Sequence, residues 1–491
     1  MSAHIKSSNS NLSATPRKVP IPPRISSSKT SPSLGMGLSL SKQARTPRQK
    51  APKRALSIEA GSLNLIQSQP PKKVDPILHS SQAHRTQSHS LLAPSHSSMS
   101  IISEAPQISP ASSRFQNISK FQIPNAPIDP QTALSNYSSL LTAYEQKEIL
   151  GFQNIYFLGD PKKKIQTTSS TSNNYGFDLS SHQYKCNIGD HIGYRYEILS
   201  LLGTGSFGQV FLCYDYMMKK QVALKVLVNT QIMRTEGPVE MKILQSLKSR
   251  NDIIVTLYNG FTFREHLCLS FELLGPNLYN IMHSLMFQPF PFDVVVSISR
   301  QLLCALNVVH SQEFIHCDIK PENILFTSNY NPKCPAIKLV DFGSACTKTS
   351  YHFEYVQSRH YRAPEVMLGL NYTNKIDIWS FACVVIELLT GRPLFISSHS
   401  SAEQIELAIS LFGPIPQSVL AKAKVKGPVL EAAKKKSIRR IHLSQFTKIN
   451  DPTFLDLVQK CFKWDPSERP SARELLKHNW FKFQRRTINM P

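Results

Sequence analysis

Between positions 315 and 325 the chain reads Ile315-His316-Cys317-Asp318-Ile319-Lys320-Pro321-Glu322-Asn323-Ile324-Leu325, an apolar strand end, a polar loop and a strand again. Apolar residues flank four groups that are costly to desolvate, His316, Asp318, Lys320 and Asn323, so these groups need one another or a ligand. A carboxylate, an ammonium and an amide at this spacing can meet in one small pocket. Asp318 can accept a proton from a hydroxyl, Lys320 can neutralise a transferring anionic group, and Asn323 can hold a metal through its carbonyl oxygen. A polar surface loop between two strands would show the same pattern, so the rest of the chain decides.

At 491 residues there is core for two or three domains. The formal net charge is +23, and residues 1–130 hold 16 Lys or Arg against 4 Asp or Glu. Such a balance suits nucleic acid, acidic partners or a membrane surface, but a solvated tail is the plainer reading. A nucleic-acid binder would interleave aromatics with the basic residues, and this tail has few. Residues 1–134, rich in Ser, Pro, Lys and Gln, are expected to be disordered, with room for regulatory partners. They carry Ser/Thr-Pro pairs at Thr15, Ser31, Thr46 and Ser109. The clusters Lys50-Ala51-Pro52-Lys53-Arg54 and Pro71-Lys72-Lys73 have the form of nuclear-import signals. Nine scattered cysteines without a C-x-x-C pair argue against a zinc site or a disulfide framework and for a reducing compartment. No unbroken apolar run reaches membrane-spanning length, and the first residues lack a signal-peptide core. The expectation is a cytoplasmic monomer with access to the nucleus and no membrane attachment.

Leu140–Leu150 has helical apolar spacing, and Ile155–Gly159 reads as a short strand or buried turn. From Tyr194 the pattern tightens. Tyr196–Leu202 reads as a strand entering Gly203-Thr204-Gly205-Ser206-Phe207-Gly208-Gln209-Val210. A dinucleotide fold shares this glycine spacing but would continue into a helix. Here two more strands follow, Val210–Tyr214 and Gln221–Val228, so the glycine turn is a flap whose backbone can approach an anion closely. Lys225 points inward from an apolar strand and needs a carboxylate, best supplied by Glu240, with Glu236 as the substitute. Gly237-Pro238 should restrict the start of that helix. His266–Leu274 is an apolar strand that ends in a junction, and Phe292–His310 is a buried helix. Ala336–Val340 is a strand that leads into Asp341-Phe342-Gly343, 23 positions beyond Asp318. Ala363-Pro364-Glu365 follows, then a mostly apolar helix from Ile376 whose Asp377 suits capping of the loop around Cys317; Arg469 can pair with Glu365.

Together these motifs resemble, in order, those of a protein kinase across Tyr194–Phe481. That implies an α+β bilobal fold, with a β-rich lobe at 194–275, a helical lobe at 276–483 and a tail at 484–491. His-Cys-Asp at 316–318, Asp341-Phe342-Gly343-Ser344-Ala345-Cys346 and Phe353–Arg362 resemble the dual-specificity tyrosine-regulated kinases (DYRK), within the CMGC kinases. Tyr144–Gly159 and Asn187–Ile192 resemble the accessory region and homology box of the second class of that family, here 135–193.

The resemblance implies ATP and Mg²⁺ as cofactors and protein Ser/Thr side chains as substrates, with proline favoured after the target through Arg362. Catalytic roles fall to Asp318, Lys320, Lys225 and Glu240, and metal binding to Asn323 and Asp341. ATP would lie against Leu202, Gly203, Thr204, Gly205, Ser206, Phe207, Gly208, Gln209 and Val210, then Ala223 and Lys225, then Phe271, Glu272, Leu273 and Leu274. Regulation falls to Tyr355 as an autophosphorylated residue, to Arg359 and Arg362 as its phosphate partners, and to the thiols of Cys317 and Cys346. The alternative is a catalytically weak scaffold acting through its basic tail. Three departures stand out: the first tyrosine of the family's Tyr-x-Tyr is Phe353, Asn280 replaces the usual acid after Asn-Leu-Tyr, and the segment 413–451 is short and basic.

Overall fold

The computed structural model describes residues 123–482, apart from 169, 251, 329–334, 348–354, 397 and 437. The first 122 residues of the tail expected for 1–134, with its basic clusters, and also Phe353 and the terminus at 484–491, lie outside the described residues.

Packed structure begins upstream of the boundary expected at 135. Ile123 is 2% exposed. Asp129 starts helix α1 (Pro130–Tyr137) by accepting the Thr132 N–H at 3.0 Å. The composition shift near Thr132 hid this Asp-Pro start, which is a helix-entry signal. The helical spacing over Leu140–Leu150 resolves into a shorter helix α2 (Ala143–Glu148), closed by a capping box between Thr142 and Glu145 and flanked by 3₁₀ turns.

The accessory region then gives its last residues to the kinase sheet. Strand β1 (His191–Ile192) pairs antiparallel with β2 (Tyr196–Gly205). Next come β3 (Gly208–Asp215), β4 (Lys220–Leu227), β5 (Leu257–Phe263) and β6 (His266–Glu272), in the spatial order β1-β2-β3-β4-β6-β5. Ile149, Ile155 and Phe177 of the accessory region share one apolar core with Tyr194, Ile198, Cys213 and Leu224 of the sheet.

Between β4 and β5 runs α3 (Gln231–Ser246). It starts about two turns before Gly237-Pro238, so the expectation that this pair marks its start is corrected. Thr230 sets the start by accepting the Met233 N–H at 3.3 Å. Pro238 lies in the interior, where it removes one ladder bond without ending the helix. Gly237 is there for space: a Cβ would meet Leu267 and Leu227 side-chain carbons at 2.6 and 2.7 Å.

The helical lobe opens with α4 (Leu278–Ser284), capped by Asn277, and α5 (Phe292–Ser311). Helix α5 is long and apolar enough by composition to cross a membrane, but its Val295, Ile298, Leu302, Leu306 and Val309 are buried in the lobe's core. Two small ribbons follow. Strand β7 (Phe314–Ile315) pairs with β10 (Cys346–Thr347), and β8 (Ile324–Phe326) with β9 (Ile337–Leu339). They hold the two ends of the loop 316–323 and the entry to Asp341 in register. Helices α6 (Pro364–Met367), α7 (Lys375–Thr390) and α8 (Ser401–Phe412) complete the platform, with α7 buried from Ile376 to Leu388.

Candidate active site

The glycine turn is a tight hairpin. Gly203 faces Val210, Thr204 faces Gln209 and Gly205 faces Gly208, leaving Ser206 and Phe207 at the tip. Leu202 to Ser206 are exposed, as a flap over a ligand requires. Gly208 has φ +145°, and a Cβ there would stand 2.2 Å from the Val226 carbonyl oxygen, so only glycine fits. Ala223 and Lys225 face Phe271 and Leu269 across β4–β6. Phe271 is half-buried against the helical lobe's core. Glu272 spends its carboxylate on Lys338 Nζ (2.6 and 2.8 Å) and the Thr256 N–H (2.7 Å), leaving a ligand its backbone. Leu273 and Leu274 continue past it, half-buried, and the chain is then tied down by the Gly275 N–H on the Phe326 carbonyl at 2.8 Å.

Lys225 Nζ donates to both oxygens of Glu240 (2.8 and 3.0 Å) and to Asp341 Oδ1 (2.9 Å). Burial alone would push this ammonium down, but the carboxylates of Asp341 and Glu240 outweigh it and hold Lys225 above the ordinary lysine range. Burial raises Glu240 against the pull of Lys225. For Asp341 the Lys225 charge outweighs burial, so its carboxyl sits low and stays ionised. Of the two acids considered for this lysine, Glu240 is the one it meets.

The loop 316–323 is anchored from below. Asp377, wholly buried at the start of α7, accepts the His316 and Cys317 N–H groups at 2.9 and 3.0 Å and pairs with His310 Nε2 at 2.9 Å. This over-determination supports Cys317 in left-handed backbone (φ +66°), and Asp341 adopts the same unusual region (φ +60°). The His316 ring stands edge-on to Phe342, centroids 4.9 Å apart, which ties the loop to Asp341-Phe342-Gly343.

On this base Asp318 and Lys320 meet at 2.7 Å (Oδ2 to Nζ). Asn323 Nδ2 donates to the Asp318 carbonyl at 2.8 Å, which turns its amide oxygen the other way. Ser358, to which sequence reasoning gave no role, donates its hydroxyl to Asp318 Oδ1 at 2.8 Å and accepts from Lys320 Nζ at 3.2 Å. Buried Arg469 and Glu365 form a two-armed ion pair at 2.6 and 2.7 Å that fixes the end of the activation segment. The carboxylate of Asp341 and the amide oxygen of Asn323 are hard oxygen donors, a set that suits a divalent cation such as Mg²⁺.

Tyr355 is 58% exposed, its ring under the Arg362 guanidinium and its hydroxyl 3.1 Å from Ser401 Oγ at the start of α8. Arg359 stands exposed in the turn between them. Cys317 and Cys346 are both buried, their sulfurs 3.7 Å apart. One further feature was missed. Among the described residues Glu322 Oε2 is buried without a hydrogen-bond partner, and nearby Glu387, which accepts from Tyr361 Oη at 2.7 Å, is pushed up to about 7 by burial. The only sequence signal was Glu387 itself, an acid inside an apolar helix.

Residues 196–481 match the protein kinase domain family. The chain is 39% identical over 357 residues to the DYRK-family kinase pom1 of Schizosaccharomyces pombe, covering 69% of this chain and 32% of that one. It is 36% identical over 386 residues to mouse dual specificity tyrosine-phosphorylation-regulated kinase 3 (72% and 65%) and 35% identical over 374 residues to human kinase 4 of the same name (73% and 71%). The chain thus spans between about a third and 71% of the length of these relatives. With the kinase motifs gathered in one cleft and this likeness carried across both lobes, the chain belongs to the dual-specificity tyrosine-phosphorylation-regulated kinase family of protein kinases.

Proposed function

We propose that the chain is an ATP-dependent protein kinase that phosphorylates Ser and Thr of protein substrates and its own Tyr355. The observation that carries this reading is the pair of clusters, Lys225 with Glu240 and Asp341, and Asp318 with Lys320 and Asn323, tied together by the Val340 N–H on the Asn323 carbonyl at 3.0 Å. Nothing in that cleft favours a catalytically weak scaffold.

Lys225, held by Glu240, is charged and aimed at the position where the α- and β-phosphates of ATP belong. Asp341 and Asn323 would hold Mg²⁺, which supplies charge neutralisation to the phosphates when bound. Asp318 orients the acceptor hydroxyl and takes its proton. Lys320 steadies the transferring group, and Ser358 keeps the Asp318 carboxylate in place. Most of the acceleration then comes from positioning and preorganised charge. Arg362, bonded to the Val356 and Gln357 carbonyls at 2.8 and 2.5 Å, supports a preference for proline after the target. The unpaired Glu322 oxygen and Glu387 support a basic residue on the other side of it, because a guanidinium would satisfy both. Nuclear access through the 50–54 cluster is proposed on sequence alone.

The test is transfer of labelled phosphate from ATP to a Ser/Thr-Pro peptide, with Asp318→Asn as control. Absence of transfer by the native chain under Mg²⁺, or equal transfer by the control, would overturn the reading.

A further inference from the structure

A cavity on the helical lobe is built from none of the residues placed in the active site. The segment after α6 and residues 419–425 run together there, the Lys424 and Val425 N–H groups donating to the Leu368 carbonyl at 3.0 and 3.4 Å. Gly369 permits this approach with φ +67°, since a Cβ would meet Val425 Cγ1 at 3.3 Å and Lys424 Cβ at 3.4 Å. Residues 465–467 close the third side, leaving about 510 Å³, a size typical of ligand sites.

The lining has two characters. Leu370 and Val419 give the lining an apolar part, while Lys375, Lys422 and Lys424 are its three lysines. Lys422 and Lys424 are exposed, and Lys424 donates to Asn371 Oδ1 at 3.0 Å. Lys375 donates to the Arg469 carbonyl; burial, with Arg469 nearby, lowers it from the ordinary lysine value. The lining's one carboxylate, Asp465, already accepts the Ser467 N–H and hydroxyl at 2.8 and 2.7 Å. The segment 413–448, which supplies Val419, Lys422 and Lys424, carries nine Lys or Arg against the single acid Glu431.

A lining with an apolar part and lysines selects a ligand with both an apolar anchor and negative charge. The further cations of the segment favour an extended polyanion over a small one. No aromatic lines the cavity, which removes the stacking that single-stranded nucleic acid uses. A cavity receives one side chain better than it receives a flat bilayer. We propose that this cavity docks an acidic peptide segment of a protein partner, one aliphatic side chain resting on Leu370 and Val419 and its neighbouring carboxylates meeting Lys422 and Lys424.

The test is fluorescence anisotropy with the full chain and the labelled peptide Asp-Glu-Leu-Glu-Asp-Glu. Binding needs no catalysis, so the outcome is independent of the kinase reading. The exposed pair Lys422→Glu/Lys424→Glu should weaken binding about tenfold, whereas Lys434→Glu/Lys436→Glu, equal in charge change but outside the cavity, should weaken it less than about threefold. The probe with Leu changed to Gly should also bind more weakly. Equal losses in the two double variants would mean diffuse attraction and overturn the cavity assignment. So would sedimentation of the chain with phosphatidylserine vesicles, or retention by a single-stranded oligonucleotide, without binding of the peptide.

Discussion

The guanidinium carbon of Arg362 lies 3.8 Å from the centre of the Tyr355 ring, and one of its N–H groups reaches the phenol oxygen. A phosphate on that oxygen would add roughly −1.5 to −2 charge beside this cation and near the N-terminus of α8, with Arg359 free to swing in from the surface. The Arg position of the usual His-Arg-Asp is Cys317 here, so these groups would have to take its place as phosphate partners. Chain expressed alone in bacteria should carry phosphate on Tyr355, and the Asp318→Asn variant should not, by mass spectrometry. Tyr355→Phe keeps the ring and should lose most activity, and Ser401→Ala should lose a smaller share. Full activity of Tyr355→Phe would sink the clamp.

Lys225→Arg, Asp318→Asn and Asp341→Asn should each fold and each lose on the order of a thousandfold in phosphate transfer. Arginine keeps the charge but not the compact three-way contact with Glu240 and Asp341. Thermal melts within a few degrees of the native chain, alongside the rate loss, are the expected pair of results. A variant that melts early would show a structural role instead.

How much of this was legible beforehand follows from how local each signal is. The glycine hairpin, the strand holding Lys225, and Asp377 beneath the loop came from short patterns of apolar and polar residues. The start of α3 did not, because Gly237-Pro238 reads locally as a boundary while Thr230 and packing against Leu267 decide the matter. The place of Ser358 on Asp318 and the nearness of Glu322 to Glu387 depend on chain returning from 40 and 65 positions away, and no local pattern marks them. Arg264 was passed over for the same reason: it reads as a turn residue, yet it is buried.

The Cys317 and Cys346 sulfurs are near enough for a disulfide after a small shift, since neighbouring Ile315 and Cys346 are already paired across β7–β10. Hydrogen bonding to Cys346 and burial raise Cys317, while the same bond lowers Cys346, making Cys346 the more readily ionised thiol. Mild oxidant should link the pair and lower activity, and dithiothreitol should restore it. Cys346→Ser should be insensitive. Two free thiols in oxidised protein, by peptide mass mapping, would reject the link.

Glu387 gives a pH signature. Burial lifts its folded value to about 7 from an unfolded 4.5, even against the Tyr361 hydrogen bond. Between those values the folded chain keeps a proton that the unfolded chain has released. Its contribution is therefore full below the unfolded value and is lost as pH rises through about 7. Glu387→Gln retains an acceptor for Tyr361 and removes the titration. Urea unfolding from about pH 5 to about pH 8 should show the native chain losing on the order of 1–3 kcal/mol more than the variant. Parallel curves would refute the assignment.

Arg264 follows β5 and reaches into the accessory region, donating to Glu145 (3.1 Å), Glu148 (2.9 Å) and Tyr184 Oη (2.9 Å), with Phe177 4.1 Å from its guanidinium carbon. Arg264→Ala leaves Glu145 with Lys164 (3.0 Å) and Glu148 with the Tyr194 hydroxyl (2.8 Å) but removes the cation they share, and should cost about 1.5–3 kcal/mol of folding stability. Limited proteolysis should then cut within 123–193 before the kinase lobes. Arg264→Lys, lacking the planar fork, should fall between. Unchanged cleavage in the alanine variant would show that the apolar core alone holds the region.

This contact also bears on how such chains can be recombined. Glu145 and Arg264 lie 119 positions apart, yet both are buried and in contact, Glu145 being shared with Lys164. Swapping the accessory region for that of a distant relative would therefore work only if the donor's acids meet an arginine after β5. A lineage that lost either partner would have to change the other soon afterwards. The two segments would then be exchanged as one unit, although the chain presents them as separate stretches.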